Sequence, residues 1–265
     1  MSTPTVIMNF SHVYEEEDFY GDERAVWIDC SDIPGTDCYC TEEAEAAIRS
    51  RIRDFPPEGI HFLDSGNFHY VSMLWMEKIR VPFHLLVFDY HSDMQPPLFA
   101  ELLSCGCWIS RALDANPFLR RVWIVGPDAS AFDHLDARYR DRLVCISLQD
   151  VQRREAFREL VRIEPGTRLY VSIDKDVLDR HFSRTNWNQG ALSLETLERL
   201  TATVADRARL IGIDICGELD RDTALWDIPE VHLNAAANRE LLRFFREKVR
   251  RDGKARPHGE RNRPA

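Results

Sequence analysis

Several apolar runs in this chain keep no polar alternation. Leu85-Leu86-Val87-Phe88 is hydrophobic at successive positions, so a strand made of it must be covered on both faces, which requires helices above and below a sheet. Runs of this kind, at 5–10, 25–30, 59–64, 84–90, 121–125, 143–147, 169–174 and 210–215, take turns with amphipathic stretches at 42–53, 70–79, 108–115, 151–163, 194–207 and 231–250. That alternation is the pattern of βαβ units. The fold class it predicts is α/β, a three-layer α/β/α sandwich with a mostly parallel central sheet.

The 265 residues contain no repeat, linker or low-complexity block that would divide them, and an α/β sheet of this length is routinely one unit. Residues 1–249 read as a single domain. From Arg250 onward RRDGKARPHGERNRPA is basic and almost free of apolar side chains, so 250–265 is expected to be a disordered tail.

Charge narrows the partners. Lys and Arg number 34 against 44 Asp and Glu, a net charge of −10, which disfavours nucleic acid because phosphate binding needs a basic face. No apolar run approaches the roughly 18 residues that cross a bilayer. Residues 1–10 lack the basic start and apolar stretch of a signal peptide, so a cytoplasmic location is expected. Seven cysteines, an odd number, read as reduced thiols. Cys38-Tyr39-Cys40 and Cys105-Gly106-Cys107 lack Cys-x-x-Cys spacing and read as small buried thiols rather than a zinc site. Glu15-Glu16-Glu17-Asp18 reads as a solvated charge run.

In open parallel sheets ligands bind beyond the carboxyl ends of the strands, so the polar residues just after each apolar run matter most. After 59–64 comes Gly66-Asn67-Phe68-His69; alone, this imidazole reads equally well as a helix cap. After 84–88 comes Asp89-Tyr90-His91-Ser92-Asp93, where carboxylate, imidazole and carboxylate alternate. Residues two apart on an extended chain share a side, so all three can converge. Asp174 and Asp176 repeat the pattern at the end of 169–174. Buried carboxylates crowded together are costly unless a cation neutralises them, and oxygen ligands with one or two imidazoles suit Mn²⁺ or a similar hard dication. Glu218 ends the last predicted strand, either as a holder of a cationic substrate or as a surface carboxylate. Trp187-Asn188-Gln189-Gly190 reads as the lining of a substrate entrance or as an ordinary packed loop.

His69, the Asp89-to-Asp93 segment and Ser172-Ile173-Asp174-Lys175-Asp176-Val177-Leu178-Asp179 resemble, in type and order, the three metal-binding motifs of the arginase and agmatinase (ureohydrolase) superfamily. The resemblance runs from about Leu63 to Glu218 and implies an arginase-like metallohydrolase domain holding two Mn²⁺. His69, Asp89, Asp93 and Asp174 would hold one ion, and Asp89, His91, Asp174 and Asp176 the other. Asp93 would orient the attacking hydroxide, and Glu218 would clamp the guanidinium; Trp187 and Asn188, read from their position alone, are the further candidates for substrate contact. The products would be urea and an amine.

Three departures stand out. The family's guanidinium-binding Glu comes three residues after a strand Asp, whereas Asp214 is followed at that place by Gly217, with Glu218 one further on. The family's Gly-Asn-x-His-Gly segment is replaced by Leu103-Ser104-Cys105-Gly106-Cys107-Trp108, leaving His181 or solvent to protonate the leaving amine. The loop Met94-Gln95-Pro96-Pro97-Leu98-Phe99 is apolar where arginases bind the head group of free arginine. These features resemble a divergent branch containing peptide arginases, which convert arginine to ornithine in ribosomally made peptides. The resemblance implies an arginine-containing peptide or a small guanidino compound as substrate. A metal-holding protein without turnover and a hydrolase of amides are the alternatives, and self-association into a homo-oligomer stays open.

Overall fold

The computed structural model describes residues 4–21, 25–97, 102–220 and 228–254. Its strands are β1 (Thr5–Asn9), β2 (Val26–Asp29), β3 (Tyr39–Cys40), β4 (Ile60–Phe62), β5 (Phe83–Phe88), β6 (Leu103–Ser104), β7 (Leu119–Val125), β8 (Leu143–Ile146), β9 (Arg168–Asp174) and β10 (Arg209–Cys216). Its helices are α1 (Glu42–Ile52), α2 (Val71–Met76), α3 (Trp108–Ala115), α4 (Leu148–Gln152), α5 (Glu155–Leu160), α6 (Leu194–Ala205) and α7 (Ile228–Lys254).

Eight strands form one sheet in the order β2-β1-β4-β10-β9-β5-β7-β8, and every pairing in it is parallel. Successive residues of a strand serve opposite faces. Leu86 and Phe88 of β5 join Val171 and Ile173 of β9 in a core closed by Leu160, Leu197 and Leu241 of α5, α6 and α7. Leu85 and Val87 join the other core with Ile48, Leu74 and Trp108 of α1, α2 and α3. The unbroken apolar runs are therefore the imprint of two cores, each fully buried large side chain contributing roughly 1.5–3 kcal/mol.

β4 and β5 are consecutive in the main sheet but lie on either side of the β10-β9 pair. Chain crossing over at such a point leaves a crevice at the carboxyl ends of the flanking strands. β3 and β6 form a separate antiparallel ribbon, too short to have been foreseen.

Two elements differ from expectation. The helix expected over 151–163 is broken into α4 and α5 at Arg154, which has a left-handed φ of 63°; α4 begins earlier because Ser147 and Asp150 form a reciprocal cap. Helix α7 runs to Lys254, past the expected start of the tail at Arg250, and 255–265 lie outside the described residues. Glu17 is not solvated with its neighbours: it is 4% exposed and accepts from Asn238 Nδ2 at 2.8 Å. No helix among the described residues is long and apolar enough to cross a membrane.

Candidate metal centre

Four adjacent strands, β4, β10, β9 and β5, deliver the polar residues. His69 follows β4 through a single 3₁₀ turn, Gly66–Phe68. Asp89 comes immediately after β5, and Asp174 is the last residue of β9. The register Phe88 against Ile173 sets those two aspartates side by side. Beyond β9 the chain tightens into the 3₁₀ turn Lys175–Val177 because Asp174 Oδ1 accepts from the backbone N–H of Asp176 at 2.9 Å. Asp93 sits in the left-handed region at φ 51°, which turns its carboxylate back toward the strand ends.

All six expected ligand residues converge. His69 Nδ1 is 3.1 Å from Asp89 Oδ2, 3.0 Å from Asp93 Oδ2 and 3.8 Å from Asp174 Oδ2. His91 Nδ1 is 2.8 Å from Asp176 Oδ2 and 3.5 Å from Asp89 Oδ1. Among the described residues, His69 with Asp89 and Asp93, Asp89 with His91 and Asp176, and His69 with Asp174 and Cys216 bring donor atoms within 4.8 Å of one another. Asp89 belongs to two of these groups, and His69 links the first to Asp174.

The cluster carries more negative charge than its surroundings tolerate. Burial, reinforced by Asp176 and Asp89, pushes the Asp174 carboxyl up to about 7, and burial with Asp89 pushes Asp176 up to about 6. Burial opposes charge on His69, but the carboxylates of Asp89 and Asp93 outweigh it and hold the imidazole well above its ordinary pKa. His91 is pushed up to about 12 by Asp176 and Asp89 against the same opposition from burial.

The residues fit a pair of hard dications. Buried polar atoms normally find hydrogen-bond partners, but His69 Nδ1 and Asp89 Oδ2 are buried without one although they face each other. His69 Nε2 is engaged with Ser172 Oγ at 2.8 Å, which fixes the ring with Nδ1 facing the carboxylates, as an outer hydrogen bond does for a ligating imidazole. Room for Asp174 is kept by two glycines: a Cβ on Gly66 would lie 2.7 Å from its Oδ2, and one on Gly217 would lie 2.4 Å from its Oδ1.

Asp89, His91, Asp93, Asp174 and Asp176 line a cavity of about 250 Å³ whose remaining walls include Cys38, Tyr39, Gln95, Pro96, Cys105 and Trp187. Trp187 lies edge to face with His91, centroids 5.5 Å apart, and its Nε1 donates to Asn67 Oδ1 at 2.7 Å. Asn188 is exposed and is not among the lining residues; its neighbour Asn186 instead donates to Asn67 at 2.9 Å. His181 is at the surface, its side chain 91% exposed and held by Asp179. Of the apolar loop, Gln95 and Pro96 reach the cavity, while Leu98 and Phe99 lie outside the described residues.

Glu218 is placed away from the expected clamp position. It has no exposed surface, is ion-paired with Lys175 Nζ, and accepts from Asn238 Nδ2 and Asn234 Nδ2, each at 2.8 Å. The extra residue explains this. Gly217, at φ 94°, turns the chain beneath Asp64, to whose carbonyl its N–H donates at 3.0 Å, and the next side chain enters the packing under the site.

Sequence reasoning missed the supports. Trp108 Nε1 donates to Asp93 Oδ2 at 2.6 Å, from the segment that lacks the family's histidine. Ser72 Oγ and Ser172 Oγ, 3.1 Å apart, stand behind His69. Cys216 Sγ donates to Asp174 Oδ2 at 3.4 Å. Ser172 is one of the quoted motif residues, so its role had a signal; Trp108 and Cys216 had none beyond their positions at the edges of apolar segments.

The arginase family model matches residues 3–219. An uncharacterized protein of Thermotoga maritima is 35% identical over 162 residues, 61% of this chain, and the match spans only 59% of that relative's length. Among solved structures, the agmatine ureohydrolase of Thermoplasma volcanium aligns with a TM-score of 0.67 at 17% identity, covering 96% of this chain and 92% of that one. The proclavaminate amidino hydrolase of Streptomyces clavuligerus aligns at 0.71 with 14% identity, covering 95% and 93%. The formimidoylglutamase of Bacillus subtilis aligns at 0.67 with 14% identity, covering 94% and 88%. At these identities the structural likenesses establish the fold, and the arginase-like α/β/α sandwich is that fold.

Proposed function

The chain belongs to the arginase family, and from that premise we propose that it hydrolyses the guanidino group of an arginine side chain within a peptide, leaving ornithine and releasing urea, with two Mn²⁺ as cofactor. The family depends on a binuclear metal centre. His69, Asp89, Asp93 and Asp174 would hold one ion and Asp89, His91, Asp174 and Asp176 the other. When bound, such a pair makes a water acidic enough to attack at neutral pH.

The chain's own residues supply the rest. Asp93 Oδ2 is tied to the Trp108 indole, leaving Oδ1 to accept a hydrogen bond from the attacking water and orient it toward the guanidinium carbon. That proton passes to the side-chain nitrogen as its bond to the guanidinium carbon breaks, so water plus peptidyl arginine gives urea plus peptidyl ornithine. Because Glu218 is locked to Lys175, the planar cation is held by the carboxylate cluster and by the ring of Trp187, against which a guanidinium can stack.

The single observation that carries the reading is the contrast between an anionic floor and a neutral mouth. Five acidic and imidazole side chains sit at the base, while Cys38, Tyr39, Gln95, Pro96 and Trp187 stand in the walls, and among the described residues no charged group of the wall is there to read an amino-acid head. A peptide backbone asks for no such group. Seven unpaired cysteines support work in a reducing compartment, the cytoplasm.

The protein loaded with Mn²⁺ should convert arginine-containing peptides, read as the mass change from arginine to ornithine together with urea. Urea from agmatine or free arginine with none from peptides would move the substrate to a small guanidino compound. No urea from any of them, with metal bound, would leave a metal-holding protein without turnover.

A further inference from the structure

The ribbon at the rim of the cavity sets two thiols against each other. Its register, Tyr39 against Ser104 and Cys40 against Leu103, carries one step further to Cys38 against Cys105, where the Cys105 N–H donates to the Cys38 carbonyl at 3.0 Å. Cys38 leaves the ribbon at a left-handed φ of 56°, and its side chain is hydrogen-bonded to that of Cys105, which sets the two sulfurs next to each other as a disulfide requires. Both residues were expected to be buried, but both are partly exposed, and both line the cavity beside Asp93 and Asp174. Cys30, Cys40, Cys107 and Cys216 are buried, and Cys145 lies on the edge strand β8.

We propose that Cys38 and Cys105 are a modification site, forming a reversible disulfide at the mouth of the cavity by exchange with a low-molecular-weight disulfide. The Cys105 side chain hydrogen-bonds to that of Cys38 and holds its pKa below the ordinary thiol value, which makes Cys38 the attacking thiolate. It displaces one thiolate from the small disulfide and forms a mixed disulfide. The Cys105 thiol then gives up its proton, attacks the Cys38 sulfur and releases the second small thiol. Two protein thiols are oxidised and one small disulfide is reduced to two thiols. The bond would pin the ribbon and turn two polarisable donors in the cavity wall into an inert edge.

The test uses the full chain with oxidised glutathione, followed by alkylation of the remaining thiols and peptide mapping. Free thiols should fall from seven to five, a cross-linked peptide pair should join Cys38 to Cys105, and dithiothreitol should restore both. Cys105→Ser should instead retain glutathione on Cys38. A stable glutathione adduct on wild-type Cys38 without a cross-link, a cross-link to Cys40 or Cys107, or no loss of thiols would overturn the proposal. The readout is independent of hydrolysis, so it stands or falls separately from the proposed activity.

Discussion

Lys175 lies between Asp174 and Asp176 in sequence, yet its ammonium goes to Glu218 and Asn238, and neither member of the ion pair has any exposed surface. Its charge is held there by need. Glu218 also faces Glu17, which burial and the Glu218 charge push well above the usual carboxylate range, so one cation serves two buried acids. Lys175→Met would strand Glu218, and removing one partner of a buried pair costs about 3–5 kcal/mol. We expect that loss in urea denaturation of the metal-free protein, and expect Lys175→Met with Glu218→Gln to recover most of it; a single variant as stable as wild type would mean the pair is not closed. Trp108→Phe tests the other support. It keeps the ring packing but removes a hydrogen bond to a charged group, worth roughly 1.5–3 kcal/mol, so kcat should fall about tenfold or more while the metal content measured by elemental analysis stays at the wild-type level. The acidic ligands were legible because Asp89, His91 and Asp93 advertise themselves by spacing along one strand end. Their supports were not. Trp108 meets Asp93 across 15 positions and Lys175 meets Glu218 across 43, and nothing local records such a meeting.

Strands and helices differ in how much of themselves they show in the chain. β5 and β9 were legible because burial on both faces leaves unbroken apolar residues, and their boundaries follow from where Asp89 and Asp174 interrupt them. The ribbon of β3 and β6 is two residues per strand, less than one repeat of any hydrophobic pattern, so it has no signature. The split between α4 and α5 was hidden for another reason: an apolar period continues through Val151, Ala156 and Leu160, all buried, while the break depends on a single non-glycine residue at positive φ. What starts α4 is local. Ser147 Oγ accepts from the Asp150 N–H at 3.1 Å and the Asp150 carboxylate accepts from the Ser147 N–H at 2.8 Å. Ser147→Ala should therefore cost about 1 kcal/mol, visible as a lower denaturation midpoint with unchanged hydrolysis. The glycines near the cluster work at this level too. Gly66→Ala would drive a methyl to 2.7 Å of Asp174 Oδ2 and 2.9 Å of the Trp187 ring, contacts closer than van der Waals packing allows, and metal affinity should drop although no ligand is altered.

For the molecule as a whole, the sheet builds a site that its own packing disfavours until charge arrives from outside. Asp174 is nearly fully buried, 3% exposed, beside Asp176 and Asp89, whose charges add to burial in raising its pKa, so an isolated carboxylate there destabilises the metal-free fold. Asp174→Asn keeps an oxygen to accept from the Asp176 N–H and removes one charge from the crowd. Without metal, this variant should unfold at the same temperature as wild type or higher. With metal the order should reverse. A ligand that binds only the native state stabilises it by RT ln(1 + [L]/Kd), about 2.7 kcal/mol at a hundredfold excess over Kd, and a variant that has lost a shared carboxylate forfeits most of that gain. Thermal unfolding of both proteins across a Mn²⁺ titration, starting from chelator-treated samples, should give curves that cross. Parallel curves would show that Asp174 does not serve the cation, and a metal-free variant well below wild type would show that Asp174 is held by its hydrogen bonds for the sake of the turn after β9 rather than for a dication.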